Sequence, residues 1–184
     1  MIGVAAVLGQ ALLVDLPHQG LDLIDSFFIN ALLGQFTHLG WAHLMLNLAG
    51  VALLAWGFSG LCSQGEWLVI QMASLVWTPL YLLVVEPIDW YCGLSGALHC
   101  QFVACLLLAF TRGPGNIRLN WPLWIMAVGL LMKLVMEWNI GQVTDELVGG
   151  PIAIQAHRGG AIGGLLLGIF IWKFSVARPV RQHV

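Results

Sequence analysis

Long apolar runs, broken by short polar or Pro/Gly-containing stretches, dominate the chain from end to end. Six of them, near 1–16, 37–58, 66–86, 93–111, 119–140 and 153–175, are candidate membrane spans. Each crossing takes about 20 apolar residues to traverse a hydrocarbon core about 30 Å thick. The first run is short for this, so it is expected to be tilted, mismatched or incomplete. No soluble domain intervenes, and no repeat suggests inverted halves. The pattern predicts an all-α polytopic membrane protein, a single domain of six transmembrane helices over 1–184.

Composition agrees. Hydrophobic residues make up 59% of the 184, charged residues 9%, and the mean hydropathy is +0.88. Soluble domains carry roughly 25% charged residues, so this chain has too little charge to cover a water-facing surface. A soluble enzyme and a nucleic-acid binder are excluded, and a formal net charge of −2 gives no reason to expect polyanion partners. The surrounding lipid is the expected partner of the outer surface.

Connectors set the expected orientation. One set carries Asp15, Asp22, Asp25, Glu86, Asp89, Asp145 and Glu146, without Lys or Arg. The other carries Arg112, Arg118, Lys173, Arg178 and Arg181, opposed only by Glu66. The positive-inside rule then sends both termini to the cytoplasm. Tryptophans agree, with Trp41, Trp90 and Trp138 near outer ends and Trp56, Trp67, Trp121, Trp124 and Trp172 near inner ends. Trp77 alone sits mid-span. Cysteines 62, 92, 100 and 105 form no Cys-x-x-Cys pair and read as membrane-embedded thiols, not metal ligands. No basic residue precedes the first apolar stretch, which therefore does not read as a cleaved signal.

Polar residues inside spans are costly, and they mark candidate functional sites. They are His38, His43, Asn47, Ser95, His99, Lys133, Glu137, His157 and Arg158. His43 and Asn47 stand one turn apart on one face of span two. Ser95 opens span four, and His157 lies one turn into span six. Under the topology above all of them sit toward the outer side at similar depth. A serine hydroxyl becomes a nucleophile when a base takes its proton, and neutral histidine does so near pH 7. Asn47, His43 and the Ser95 N–H are candidate oxyanion donors. Ser95 falls in the first turn of a helix, where N–H groups lack partners and the dipole favours negative charge. Asp145 and Glu146 lie in a loop, and no carboxylate within the spans is near His157 in sequence, so a Ser–His dyad is expected. Gly160 and Gly164 share the His157 face, continued by Gly168, and Gly96, Cys100 and Ala104 form a matching small stripe beside Ser95. Such stripes let helix backbones approach closely in lipid, which would bring His157 to Ser95.

These residues resemble the rhomboid family of intramembrane serine proteases. The match is His38-x4-His43-x3-Asn47 in span two, Gly93-Leu94-Ser95-Gly96 opening span four, and Ala156-His157-x2-Gly160-x3-Gly164 in span six. The resemblance implies Ser95 as nucleophile, His157 as base, and His43 and Asn47 with the Ser95 N–H on the oxyanion side. His38 would be structural or water-holding, with Gly93 and Gly96 flanking the nucleophile. No cofactor or metal is implied.

Three departures stand out. The first connector, 17–36, lacks a Trp-Arg pair found in many members. His99 stands where many have a tyrosine stacked on the catalytic histidine, and is expected to stack on His157. Arg158 has no family counterpart. The run Gly-Leu-Ser-Gly-Ala-Leu-His and the small size are similar to the bacterial rhombosortase branch. That branch is associated with removing Gly-Gly-type C-terminal tails, each carrying one hydrophobic span, from exported proteins. It implies single-pass membrane protein substrates, a bacterial inner-membrane location, and an active site opening toward the periplasm.

Lys133 and Glu137, four apart on span five, are expected to pair with each other. The functional alternative pairs Glu137 with Arg158, steadying the start of span six or gating substrate entry. Two further readings compete. A catalytically inactive relative that binds membrane clients would typically lack the serine or histidine. A haem or transport protein would use His38, His43, His99 and His157 as ligands.

Overall fold

The computed structural model describes residues 4, 7–8, 21–22, 27–112, 121–140 and 145–174. Nearly all of the span expected at 1–16 lies outside the described residues. Helices follow in the order α1 (Phe27–Gly34), α2 (Trp41–Gly57), α3 (Gln64–Val84), α4 (Ser95–Arg112), α5 (Trp121–Ile140), α6 (Asp145–Val148) and α7 (Ile154–Phe174). Two short strands, β1 (Leu21–Asp22) and β2 (Trp90–Tyr91), pair antiparallel with Leu21 opposite Tyr91. The architecture is all-α, as the hydropathy pattern predicts. α3, α4, α5 and α7 are long and apolar enough to cross a membrane, and α2 is a shorter apolar helix. This is a multi-pass membrane protein.

α4 is the central element, with buried residues on every turn from Gly96 to Ala109. α7 packs along it with backbone nearly touching backbone. A Cβ on Gly160 would run into the carbonyl of Gly96, and one on Gly164 into the carbonyl of Cys100. One on Gly168 would lie 3.2 Å from the Ala104 Cα. The two small stripes read from the sequence therefore face each other, residue for residue. α3 covers the other side of α7, where Trp77 Nε1 donates to the Gly159 carbonyl at 2.7 Å. The mid-span tryptophan thus has a polar partner inside the bundle.

α3 begins in a capping box: Ser63 Oγ accepts from the Glu66 N–H, and the Ser63 N–H donates to Glu66 Oε2 at 2.8 Å. Arg112, at the end of α4, closes on the same carboxylate at 2.8 Å. Pro79 lies inside α3 and has no N–H to offer the Leu75 carbonyl one turn earlier. Gln35, fully buried just after α1, donates its amide to that carbonyl at 2.8 Å. An unsatisfied buried carbonyl would cost roughly 1–3 kcal/mol, and meeting it fixes α1 against α3. A short α-helix in the first connector was not expected from sequence. It holds the chain before Ser95: Gly34 packs against the Tyr91 backbone, and its carbonyl accepts from the Gly93 N–H at 2.9 Å.

Candidate active site

Gly93 has φ +97°, a left-handed conformation that glycine adopts without strain. Its missing side chain matters as well, since a Cβ there would sit 2.6 Å from His43 Cε1 and 3.7 Å from Asn47 Nδ2. The turn therefore lies directly over these two α2 side chains, and it delivers Ser95 as the first residue of α4. Gly96 lets the same turn press on its neighbours, as a Cβ would stand 2.7 Å from Thr78 Cγ2 and 3.1 Å from Ala156 Cβ.

The glycine contact between α4 and α7 carries His157 to Ser95. His157 Nε2 lies 2.7 Å from Ser95 Oγ, and the histidine is 4% exposed. Its other ring nitrogen, Nδ1, is 2.9 Å from Glu137 Oε2 on α5. A carboxylate accepts only, so Nδ1 carries the proton and Nε2 presents a lone pair to the serine hydroxyl. Glu137, itself buried, receives Lys133 Nζ on its second oxygen at 2.5 Å. Lys133 also donates to His99 Nε2 at 3.1 Å, and lies 3.4 Å from His157 Nδ1. His99 Nδ1 then donates to the Ser95 carbonyl at 2.7 Å. Its ring stacks on that of His157, with centroids 4.3 Å apart and planes 18° from parallel. Both nitrogens of His99 are engaged away from the serine hydroxyl, so the base-like position belongs to His157.

The Leu39 N–H, just before α2, points at His43 Nδ1 over a long 3.5 Å. This leaves the proton on Nε2, beside Gly93. Asn47 donates one amide hydrogen to the His43 carbonyl at 3.1 Å and has a second to give. His43 and Asn47 line the same cavity as Ser95, which opens α4, where the first N–H groups of a helix have no intrahelical partner. His38 packs edge-on against His43, 5.1 Å between centroids, one layer behind the donors.

A cleft of about 450 Å³ opens beside Ser95. Apolar side chains of α2 and α5, Leu46 and Leu130 among them, form its walls. Val148 and Ile152 also line it, together with the polar groups of His43, Asn47, Ser95 and His157. Asp145 serves the segment before α7: its side chain accepts the Ile152 N–H at 3.1 Å, and its carbonyl accepts from Gly149 and Gly150.

Two readings from the sequence need correction. Lys133 and Glu137 pair as expected, but the functional alternative of Glu137 on Arg158 does not form: the other oxygen of Glu137 lies on His157, and Arg158 pairs with Glu86, just past α3, at 2.5 Å. Residues adjacent on a helix point about 100° apart, so His157 and Arg158 address different neighbours. Arg158 also lies 4.7 Å over the Trp138 ring, and Tyr81 Oη donates to Glu86 at 2.7 Å. The second correction concerns the dyad, because a carboxylate within the spans does reach the histidine. Its sequence signal was an ionisable residue at the depth of His157, masked by a lysine one turn away that accounts for it.

Comparison with known proteins gives the family. The model of the Rhomboid domain matches residues 27–174. The chain is 31% identical over 141 residues to rhomboid-like protease 5 of Toxoplasma gondii, an alignment covering 73% of this chain and 15% of that protein. The chain thus spans a small part of that relative's length. The match of the domain model to most of the chain, with the glycine-paired helices that carry Ser95 and His157, identifies it as a member of the rhomboid family.

Proposed function

We propose that the protein is an intramembrane serine endopeptidase in which Ser95 is the nucleophile and His157 the base. The observation that carries this reading is the 2.7 Å approach of His157 Nε2 to Ser95 Oγ in a largely apolar cleft. His157 Nε2 takes the hydroxyl proton as Ser95 Oγ attacks a peptide carbonyl. The oxyanion is met by His43 Nε2–H, the free Asn47 amide hydrogen and the Ser95 N–H. His157 then returns the proton to the leaving amine, and water it activates hydrolyses the acyl-enzyme.

The apolar walls suit a membrane-spanning segment, and the polar groups suit an unwound peptide and its water. A helix must open locally to present a carbonyl, which favours glycine-containing sites, since glycine costs a helix about 1 kcal/mol relative to alanine. On this reading the substrates are single-pass membrane proteins. The run Gly93–His99 supports the tail-removing rhombosortase branch, acting on Gly-Gly-type C-terminal tails. The acidic and basic connector sets support cytoplasmic termini and a site facing the periplasm of a bacterial inner membrane.

The test is labelling of the detergent-solubilised protein with a fluorophosphonate probe. Wild type and His99→Ala are expected to label, while Ser95→Ala and His157→Ala are expected to lose labelling. A folded wild type that does not label removes the protease reading in favour of client binding. Loss with His99→Ala but not with His157→Ala would move the base to α4.

A further inference from the structure

We propose that Glu137 is the third member of the catalytic array, a positioning residue that holds His157 for Ser95, and that Lys133 sets its strength. This rests on the protease reading above.

A histidine acting as base from one ring nitrogen needs its other nitrogen defined. A free imidazole exchanges tautomers and can rotate about its side-chain bonds. The Glu137 carboxylate removes both freedoms. It accepts the Nδ1 proton at 2.9 Å, which keeps the lone pair on Nε2, toward the Ser95 hydroxyl 2.7 Å away. When His157 takes the serine proton it becomes a cation between helices, and the anion beside it stabilises that charge. No proton passes to Glu137; the hydroxyl proton moves to Nε2 and later leaves with the amine.

A buried carboxylate is expensive by itself, and Lys133 supplies the compensation. Its ammonium sits 2.5 Å from Glu137 Oε1, the carboxylate oxygen that His157 does not bind, while its side chain is 42% exposed. The lysine therefore both stabilises the anion and moderates its pull on the imidazolium, since the same positive charge lies 3.4 Å from His157 Nδ1. A second donation, to His99 Nε2 at 3.1 Å, fixes the ring that stacks on His157. The groups facing His157 are His43 from α2, Ser95 and His99 from α4, and Lys133 and Glu137 from α5. Among these five, Glu137 is the one anion.

The arrangement also divides the array between helices with different attachments. Ser95 and His157 sit on α4 and α7, which are locked by glycine contacts. Glu137 and Lys133 sit on α5, the wall of the substrate cleft.

The test measures the rate of fluorophosphonate labelling at Ser95 from pH 5 to 9, on full-length protein, with thermal unfolding followed in the same detergent. Glu137→Gln keeps shape and removes charge. Its labelling rate is expected to fall about 10²-fold, with the acid limb of the profile displaced to lower pH by roughly one unit. Lys133→Met removes the opposing cation, so its acid limb moves to higher pH, with a smaller loss of rate. Glu137→Asp, which keeps the charge, is expected to recover part of the rate lost in Glu137→Gln. A purely structural role would lower the unfolding temperature without moving either limb.

Wild-type rate and profile in Glu137→Gln, with Ser95→Ala and His157→Ala silent, would overturn the proposal and leave the protease reading standing. Labelling that survives Ser95→Ala would remove both. If Glu137→Gln does not fold, the direction of the Lys133→Met limb decides, and no displacement to higher pH overturns the proposal.

Discussion

α4 and α5 are adjacent membrane helices of similar length, yet they are held in opposite ways. Of the apolar stretch of α4, 56% is buried inside the protein; for α5 the figure is 6%. α4 presses its first three turns on α7 through Gly160 and Gly164, with no side chain between the backbones. α5 meets the bundle through a few side chains: Lys133 and Glu137 on His99 and His157, Trp138 under Arg158, and Trp124 against Phe110 at the far end. On the proposed reading, the difference teaches where this protein needs rigidity: Ser95 and His157 must keep a distance set to a few tenths of an ångström, whereas the wall of the cleft must only be present, or give way to a substrate segment.

The largest effect is expected where that rigidity is built. In an unconstrained helix, Gly→Ala is stabilising by about 1 kcal/mol. At Gly160 the added Cβ meets the Gly96 carbonyl, a backbone atom that cannot swing aside. Gly160→Ala should therefore destabilise by about 2–3 kcal/mol, with a loss of Ser95 labelling larger than that destabilisation explains, because α7 carries His157 away as it yields. Equilibrium unfolding in mixed detergent micelles measures the first effect and the fluorophosphonate rate the second. A stabilised Gly160→Ala would mean that the two backbones are not in contact.

The same contrast separates what was legible in the sequence from what was not. The glycine period in 160–168 and the small stripe from Gly96 to Ala104 could be read directly, since each lies on one helix and helical spacing fixes its face. So could the common depth of Ser95 and His157, which follows from their distance to the span ends. The rotation of α5 about its axis could not be read. Its exposed face and its cleft face are both apolar, so hydropathy does not orient it, and the Lys133–Glu137 pair appears self-sufficient at i, i+4. Hence the contact of Glu137 with His157 was not foreseen, and the alternative partner weighed for it, Arg158, stands one residue away from that histidine. α1 was missed for a different reason. The segment 17–36 reads as a connector, and the role of Gln35 depends on an orphaned carbonyl created by Pro79 in another helix.

A smaller effect tests the corrected pairing of Arg158. Its guanidinium and the Glu86 carboxylate are 26% and 30% exposed, so solvent screens the pair. Exposed pairs contribute up to about 1 kcal/mol, and the stacking on Trp138 adds a comparable amount. A double-mutant cycle of Arg158→Met with Glu86→Gln should show a coupling of about 0.5–1 kcal/mol in unfolding free energy. The cycle of Arg158→Met with Glu137→Gln should show less than about 0.3 kcal/mol. Equal couplings in the two cycles would restore the alternative pairing of Glu137 with Arg158.

The smallest effect is expected on the outer face of α5. Leu131 and Met132 are 61% and 58% exposed to the surroundings, which in a membrane are lipid tails as apolar as the side chains themselves. Removing methylenes there takes away no contact that lipid cannot replace, unlike a cavity in a packed interior. Leu131→Ala and Met132→Ala should thus leave unfolding free energy within about 0.5 kcal/mol of wild type, and Ser95 labelling unchanged. Their value lies in the contrast with Gly160→Ala: on α7 a single added methyl disrupts the site, whereas on α5 larger deletions pass unnoticed. A loss of 2 kcal/mol or more in either α5 variant would mean that this face is covered in the native membrane protein, and that the cleft wall is held by more than its polar contacts.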